Sequence, residues 1–91
     1  MRKRLRSGRG GGVMEIPLAF LPENKEARVI KVKGGRGLVR RLSELGFTPG
    51  ARVKVLLSNS PGPVLVDVRG SRLGLGRGLL MKIIVDTEVN S

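Results

Sequence analysis

The chain contains no cysteine and no histidine among its 91 residues. Without cysteine there are no disulfides, thiolate metal sites or cysteine nucleophiles. Without histidine the chain lacks the commonest metal ligand and the usual general base, and a selective ferrous site prefers imidazole or a histidine–carboxylate set. The seven acidic residues are spread along the chain. The sequence therefore predicts a protein that is not an enzyme, with no cofactor and no metal site.

Aromatic residues and long apolar runs are also scarce. There are two phenylalanines and no tyrosine or tryptophan, whereas oligonucleotide-binding barrels usually carry several stacking rings. The longest apolar run covers residues 16–21, and a membrane span needs about 20 apolar residues. A signal peptide needs an apolar core after its charges, but here glycines follow them. We expect a cytoplasmic protein that meets a membrane only indirectly.

Positive charge is abundant. The formal net charge is +11, and five of the basic residues lie within residues 1–13, together with four glycines. We expect this segment to be a disordered basic tail, which leaves a net charge of +6 for a single folded domain over 14–91. A basic balance admits nucleic acid, an anionic membrane surface or an acidic protein as partner, and does not choose among them.

The stretch from 38 to 50 predicts the helix around which the chain is arranged. Its apolar residues have the one-sided spacing of an amphipathic helix: Leu38, Val39, Leu42 and Leu45. Gly46 is placed for a left-handed cap, and Phe47 for a contact back onto Leu42. Pro49 and Gly50 then predict a turn into an alternating strand over 51–57.

The remaining segments indicate β-structure. Further strands are predicted over 27–33, 64–69, 72–75 and 82–86. The imperfect alternation of 27–33 indicates a bulge or two-sided burial, and the proline-bracketed segment 16–22 an edge strand or a lid. Five short strands and one short helix predict a mainly β fold, a small, partly open barrel of the SH3 type.

The connections between these elements follow from their turn residues. Asn24 is expected in the left-handed conformation within a polar turn. We predict a loop over 34–37, a tight connection at Gly70 and Ser71, and a single helical turn over 79–81. The glycines of 34–37 precede a helix, but the phosphate-loop pattern is incomplete, which favours a plain loop.

Taken together, these residues resemble the FeoA family. The likeness covers residues 16–86 and is carried by 42–50, Val53, Val55, 62–64, Gly70, 73–75 and 83–85. It implies an SH3-like barrel that serves ferrous iron uptake as a cytosolic accessory of the FeoB-type transporter, a permease with an attached GTP-binding domain. The chain departs from the family pattern in its basic tail and in the bulky Leu80 and Met81, which are expected to alter a groove.

The residues predicted to bind a partner are Arg40, Arg41, Glu44 and Arg77. The first three lie on or beside the polar side of the helix, and Arg40 and Glu44 are spaced for an ion pair. A plain solvated helix face is the alternative for any one of them. The resemblance makes the helix face a plausible docking surface for an acidic patch.

Two other functions are left open by the sequence. Gly-Arg-Gly triplets centred on Arg9, Arg36 and Arg77 are compatible with binding RNA or DNA through charge. Only the first of them resembles a free basic arm. Self-association into a homo-oligomer through exposed strand edges is the third reading.

Overall fold

The computed structural model describes residues 14–58 and 61–87. Within them the elements follow the order β1 (Glu15–Pro17), β2 (Glu26–Val32), α1 (Arg36–Glu44), β3 (Arg52–Ser58), β4 (Val64–Val68), β5 (Ser71–Leu75), α2 (Arg77–Leu80) and β6 (Ile83–Asp86). A 3-10 turn, Leu18–Phe20, follows β1. The predicted tail over 1–13 and the polar end 88–91 lie outside the described residues.

The described strands form one antiparallel sheet in the order β1-β6-β2-β3-β4-β5. Because β1 and β5 stand at its two edges, the barrel is left partly open, as predicted. The sheet has six described strands instead of five because the proline-bracketed segment supplies β1. Pro17 lies at the end of this edge strand, where its missing amide costs no ladder bond, and Leu18 beyond it is fully buried.

The end of α1 confirms the predicted glycine cap. Gly46 has φ +114°, its amide donates to the carbonyl of Ser43 at 3.0 Å, and the amide of Phe47 donates to that of Leu42 at 3.0 Å. This is the Schellman arrangement, in which the residue after the glycine folds back onto the helix. Phe47 and Leu42 are each only 1% exposed, so the cap is anchored in the core.

The segments on either side of β3 also match the prediction. The amide of Ala51 donates to the carbonyl of Thr48 at 2.9 Å, which closes a turn around Pro49 and Gly50. In β2 the register with β6 shifts between Val29 and Lys31. The shift is the predicted bulge.

Two predicted connections were wrong in detail. The helix begins at Arg36, so the loop 34–37 is shorter than predicted; Gly35 is already the extended N-cap residue, with φ −75° and ψ 170°. The β4–β5 connection is Arg69-Gly70 and not Gly70-Ser71. Both turn residues have positive φ, 53° and 89°, as a two-residue hairpin requires, and Ser71 already pairs with Val68.

The last predicted helical turn begins earlier than expected. It is α2 (Arg77–Leu80), with Gly76 as its extended N-cap and Met81 as its C-cap. Leu80 is fully buried in the core. The fully buried large side chains come from all parts of the fold: Phe47, Leu18, Leu42, Leu80, Ile83, Val29, Val53, Val55, Val66, Val68 and Val85.

Candidate docking surface

Three of the predicted partner-binding residues share the exposed face of α1. The Nε atom of Arg40 lies 3.6 Å from Oε2 of Glu44, and the two side chains are 83% and 68% exposed. Arg41 is exposed in the last turn of the same helix. An exposed pair four residues apart contributes only a few tenths of a kcal/mol, about 0.3–0.5, to stability. These charges are therefore largely free to serve a partner.

Arg77 lies in a different region. Its Nη2 atom donates to Oγ of Ser58 at 3.3 Å, at the far end of β3. The loop that follows α1 enters β3 at the other end, Arg52, and a seven-residue strand spans about 20 Å. The structure thus brings Arg40, Arg41 and Glu44 together and leaves Arg77 apart from them.

Exposed apolar side chains accompany Arg77 at the Ser58 end of the barrel. Phe20 is 64% exposed, Leu57 45% and Met81 42%. Phe20 ends the 3-10 turn, which packs against α2, and Met81 caps α2. The predicted effect of the bulky pair on a groove applies only to Met81, because Leu80 is part of the core.

A compensated row of charges crosses the outer face of the sheet at the other end. Lys54 on β3 stands opposite Glu26 on β2 and Asp67 on β4, and Asp67 stands opposite Arg72 on β5. Opposite charges facing each other across strands stabilise a sheet by roughly 0.2–1 kcal/mol per pair. The charges of this row therefore support the fold.

The next row along the strands is an arginine row, formed by Arg28, Arg52 and Arg69. Arg28 and Arg52 stand directly opposite each other, and the amide of Arg69 donates to the carbonyl of Arg52 at 3.2 Å. Like charges placed in this way destabilise a sheet. Asp86 stands opposite Arg28 on its other side, so the excess of positive charge is at Arg52 and Arg69.

The Arg28–Arg52 pair belongs to the close type of cross-strand pair. In the neighbouring pair, the amide of Val29 donates to the carbonyl of Ala51 at 2.9 Å. Hydrogen-bonded and non-hydrogen-bonded pairs alternate along an antiparallel ladder, and side chains are closer in the latter. The two guanidinium groups are therefore held near each other by the register of the sheet.

An open depression of about 380 Å³ adjoins the arginine row. It is lined by Thr48, Pro49, Gly50, Ala51, Arg52 and Arg69. A second depression, of about 320 Å³, shares Arg52 and Arg69 but is also lined by Glu26 and Asp67. The first, which we call the arginine depression, has two cationic side chains and no carboxylate among its described lining residues.

The sequence did not single out Arg52 or Arg69, because each reads as an ordinary outward position on an alternating strand. A signal was present at Arg69, which precedes Gly70 between two strands. A two-residue hairpin places its first turn residue at positive φ, where asparagine is usual and arginine is not. Recognising that turn would have drawn attention to this side chain.

Neither a metal centre nor a membrane span is found in the described part of the chain. There, no three His, Cys, Asp or Glu side chains are grouped so as to hold a metal ion. No helix among the described residues has the length and apolar character needed to cross a bilayer.

Comparison with known proteins places this surface in a family. A family model described as the FeoA domain matches residues 16–87. The chain belongs to the FeoA family. A Methanocaldococcus jannaschii protein named Fe(2+) transport protein A is 43% identical over 70 residues, which cover 77% of this chain and 84% of that protein. The predicted resemblance is confirmed.

Solved FeoA structures share the fold. An iron uptake regulatory protein (FeoA) is 33% identical with a TM-score of 0.75, and the match covers 80% of this chain and 97% of that one. The Stenotrophomonas maltophilia FeoA, crystallised with zinc and described as a prokaryotic SH3 domain protein, is 31% identical with a TM-score of 0.68. That match covers 80% of this chain and 89% of the other. The predicted SH3-like fold class is therefore confirmed.

Proposed function

We propose that this protein is a cytoplasmic accessory of ferrous iron uptake that docks on the cytosolic parts of a FeoB-type transporter. The observation that carries the proposal is the FeoA family match over residues 16–87, together with a relative named for Fe(2+) transport. The role proposed here is binding and not catalysis. The domain that docks is taken to be 14–91, with 1–13 as a basic tail.

The surface of the barrel suits protein–protein contact in two ways. Its exposed apolar side chains at the Ser58 end, Phe20, Leu57 and Met81, offer area that a partner would bury. Its exposed arginines supply the charged rim that fixes orientation and raises the association rate. Among the latter, Arg40, Arg41 and Glu44 on α1 and Arg77 on α2 are the residues we propose for docking.

Nucleic-acid binding has less support from the structure than it has from the net charge. Of the two aromatic residues in the chain, Phe47 is 1% exposed in the core and only Phe20, at 64%, is available for stacking. Single-stranded nucleic acids are bound through a series of aromatic rings along a basic groove. A single exposed ring does not provide such a platform.

The proposal is tested by calorimetric titration of the full chain against the purified cytosolic parts of the transporter. The titration is run at physiological salt with and without a GTP analogue, so that any dependence on the nucleotide state is measured. We expect saturable binding with a Kd near the micromolar range typical of transient docking, on the order of −8 kcal/mol. The double variant Arg40→Ala/Arg41→Ala should weaken it.

Two controls decide between the alternatives. A random oligonucleotide should show no saturable binding at the same salt, whereas strong, salt-sensitive binding to it alone would replace the accessory role with nucleic-acid binding. Sedimentation of the free chain measures self-association through the open strand edges. Absence of binding to any cytosolic part of the transporter would overturn the proposed function.

A further inference from the structure

We propose that Arg52, Arg69 and Thr48 form a binding site for a carboxylate from an acidic segment of a protein partner. The inference deepens the proposed docking function and rests on it, since the acidic segment would belong to the cytosolic parts of the transporter. It adds a site at the end of the barrel opposite to Arg77 and names the chemistry that the site recognises.

The first argument is charge. The arginine depression is lined by two guanidinium groups and by no carboxylate among its described residues, whereas the neighbouring depression contains Glu26 and Asp67. Guanidinium groups present paired N–H donors that match the two oxygens of a carboxylate. An anionic side chain that enters the first depression therefore meets donors and no repelling acid.

The second argument is the position of the Arg69 side chain. It runs back past the C-cap of α1, with its Cδ atom 3.7 Å from the point where a Cβ atom at Gly46 would lie. Its Nη1 atom then donates to Oγ1 of Thr48 at 3.4 Å. The hydroxyl of Thr48 accepts this bond and still has its own proton to donate. Arg69 and Thr48 thus offer donors from two sides of one depression.

The third argument is backbone strain at the same residue. Arg69 has φ +53°, a conformation that a side chain with a Cβ atom adopts at a cost. Asparagine and glycine are favoured at the first position of this kind of hairpin turn. Arginine also adds to the like charges of the arginine row. Its presence works against stability twice, and strain of this kind is typical of functional positions.

The donors around the depression favour a carboxylate over a phosphate. Phosphate sites are usually built from free backbone amides at helix ends or in nests. Here the amides of Thr48, Gly50, Ala51 and Arg69 donate to the carbonyls of Gly46, Val29, Thr48 and Arg52, at 2.9, 2.7, 2.9 and 3.2 Å respectively. Pro49 has no amide proton. Recognition is therefore left to side chains, and the planar guanidinium matches a planar carboxylate.

The binding site is tested by NMR titration of the full chain with a blocked oligoglutamate peptide at physiological ionic strength. We expect shift changes to centre on the side-chain Nε–H groups of Arg52 and Arg69 and on the Thr48–Ala51 loop. Arg69→Asn should weaken binding about tenfold, because a charge-assisted hydrogen bond is lost. Thr48→Val, which removes one hydroxyl, should weaken it about threefold.

Arg72→Asn is the matched control. It removes the same charge from the same hairpin, but Arg72 lies in the compensated row and lines neither depression. We expect its affinity for the peptide to stay within about twofold of the wild type. Arg69→Asn should also melt at a higher temperature than the wild type, because it relieves the turn strain, so unfolding would not account for its lost binding.

Three results would overturn the inference. Equal losses in Arg69→Asn and Arg72→Asn, or shift changes spread evenly over the basic surface, would show non-specific attraction. Inorganic phosphate that displaces the peptide from Arg52 and Arg69 at lower concentration would make this a phosphate site.

Titration with the transporter's cytosolic parts separates this inference from the proposed function. If the wild-type chain does not bind them, the proposed function fails. If the wild type binds and Arg69→Asn binds equally well, only the carboxylate site is wrong. Binding that is weakened by Arg69→Asn and retained by Arg72→Asn supports both.

Discussion

Two neighbouring rows of outward-facing residues on the same sheet follow opposite rules. In the compensated row, acidic and basic side chains alternate from β2 to β5. In the arginine row, one residue further along each strand pair, Arg28, Arg52 and Arg69 bring three like charges together. The compensated row supports the fold, whereas the arginine row weakens it. A surface that costs stability at one place indicates that another demand acts there.

The arginine row is also the better supported of the two at its outer end. The loop that carries Thr48 is fixed by the Schellman cap of α1 and by the amide of Gly50, which donates to the carbonyl of Val29 at 2.7 Å. Side chains that bind a partner need such rigid support, since a loosely held site loses affinity to ordering. The comparison therefore depends on the cap as well as on the charges.

The largest effect is expected from removing the anchor of that cap. Phe47→Ala deletes a side chain that is 1% exposed and should lower the free energy of unfolding by about 3–5 kcal/mol, the range for buried aromatics. Phe20→Ala is the control, because Phe20 is 64% exposed and its loss should change stability by less than about 0.5 kcal/mol. Denaturant unfolding measures both, and similar losses in the two variants would contradict the packing described here.

The backbone of the cap gives the next largest effect. Gly46→Ala forces a side chain into φ +114° and should cost about 1–2 kcal/mol. The nearest atoms of Val68 lie at 3.5 Å, an ordinary contact distance, so the cost is conformational and not a clash. In α1 itself, Gly37→Ala meets nothing within 4 Å and should stabilise by about 0.5–1 kcal/mol. Thermal unfolding should therefore shift in opposite directions; a shift of the same sign would argue against the cap.

The compensated row is tested through its central acid. Asp67 faces Lys54 and Arg72, and its Oδ1 accepts a hydrogen bond from the amide of Gly70 at 3.0 Å. Asp67→Ala removes all three interactions and should cost about 1 kcal/mol. Asp67→Asn keeps an acceptor for the amide and should lose less. If Asp67→Ala is neutral in denaturant unfolding, the charges of this row do not support the fold.

The smallest effect is expected on the helix, where the ion pair is fully surrounded by solvent. Glu44→Gln removes the partner of Arg40 and should change the free energy of unfolding by only about 0.3 kcal/mol. The change should disappear in high salt, because exposed charges are screened there. A loss above about 1 kcal/mol in low salt would mean that this pair, and not the compensated row, is the stabilising one.

The sequence predicted the parts of the fold that local residue chemistry determines. The cap at Gly46, the left-handed Asn24 and the bulge in β2 depend on neighbouring residues, and all three were predicted correctly. The FeoA resemblance supplied the family. The end of β4 was misplaced by one residue, because an arginine at positive φ breaks the usual preference for asparagine.

The arginine depression was not predictable in the same way. It depends on the register of three strands, which places Arg52 beside Arg28 and Arg69 although they are far apart in the sequence. Alternation tells which side of a strand a residue faces, but not which residues stand beside it on the neighbouring strands. For the same reason, Arg40 and Arg41 were grouped correctly on one helix while Arg77 was not recognised as distant.

The difference between the two rows is tested most directly by reversing one charge in each. Lys54→Glu would place three acids side by side and should destabilise the fold by about 0.5–1 kcal/mol, whereas Arg52→Glu would place an acid between two arginines and should stabilise it by about 0.5 kcal/mol. Denaturant unfolding of both variants at low salt gives the two signs. The account predicts opposite signs that both shrink in about 1 M salt. A loss of stability in both variants would contradict it.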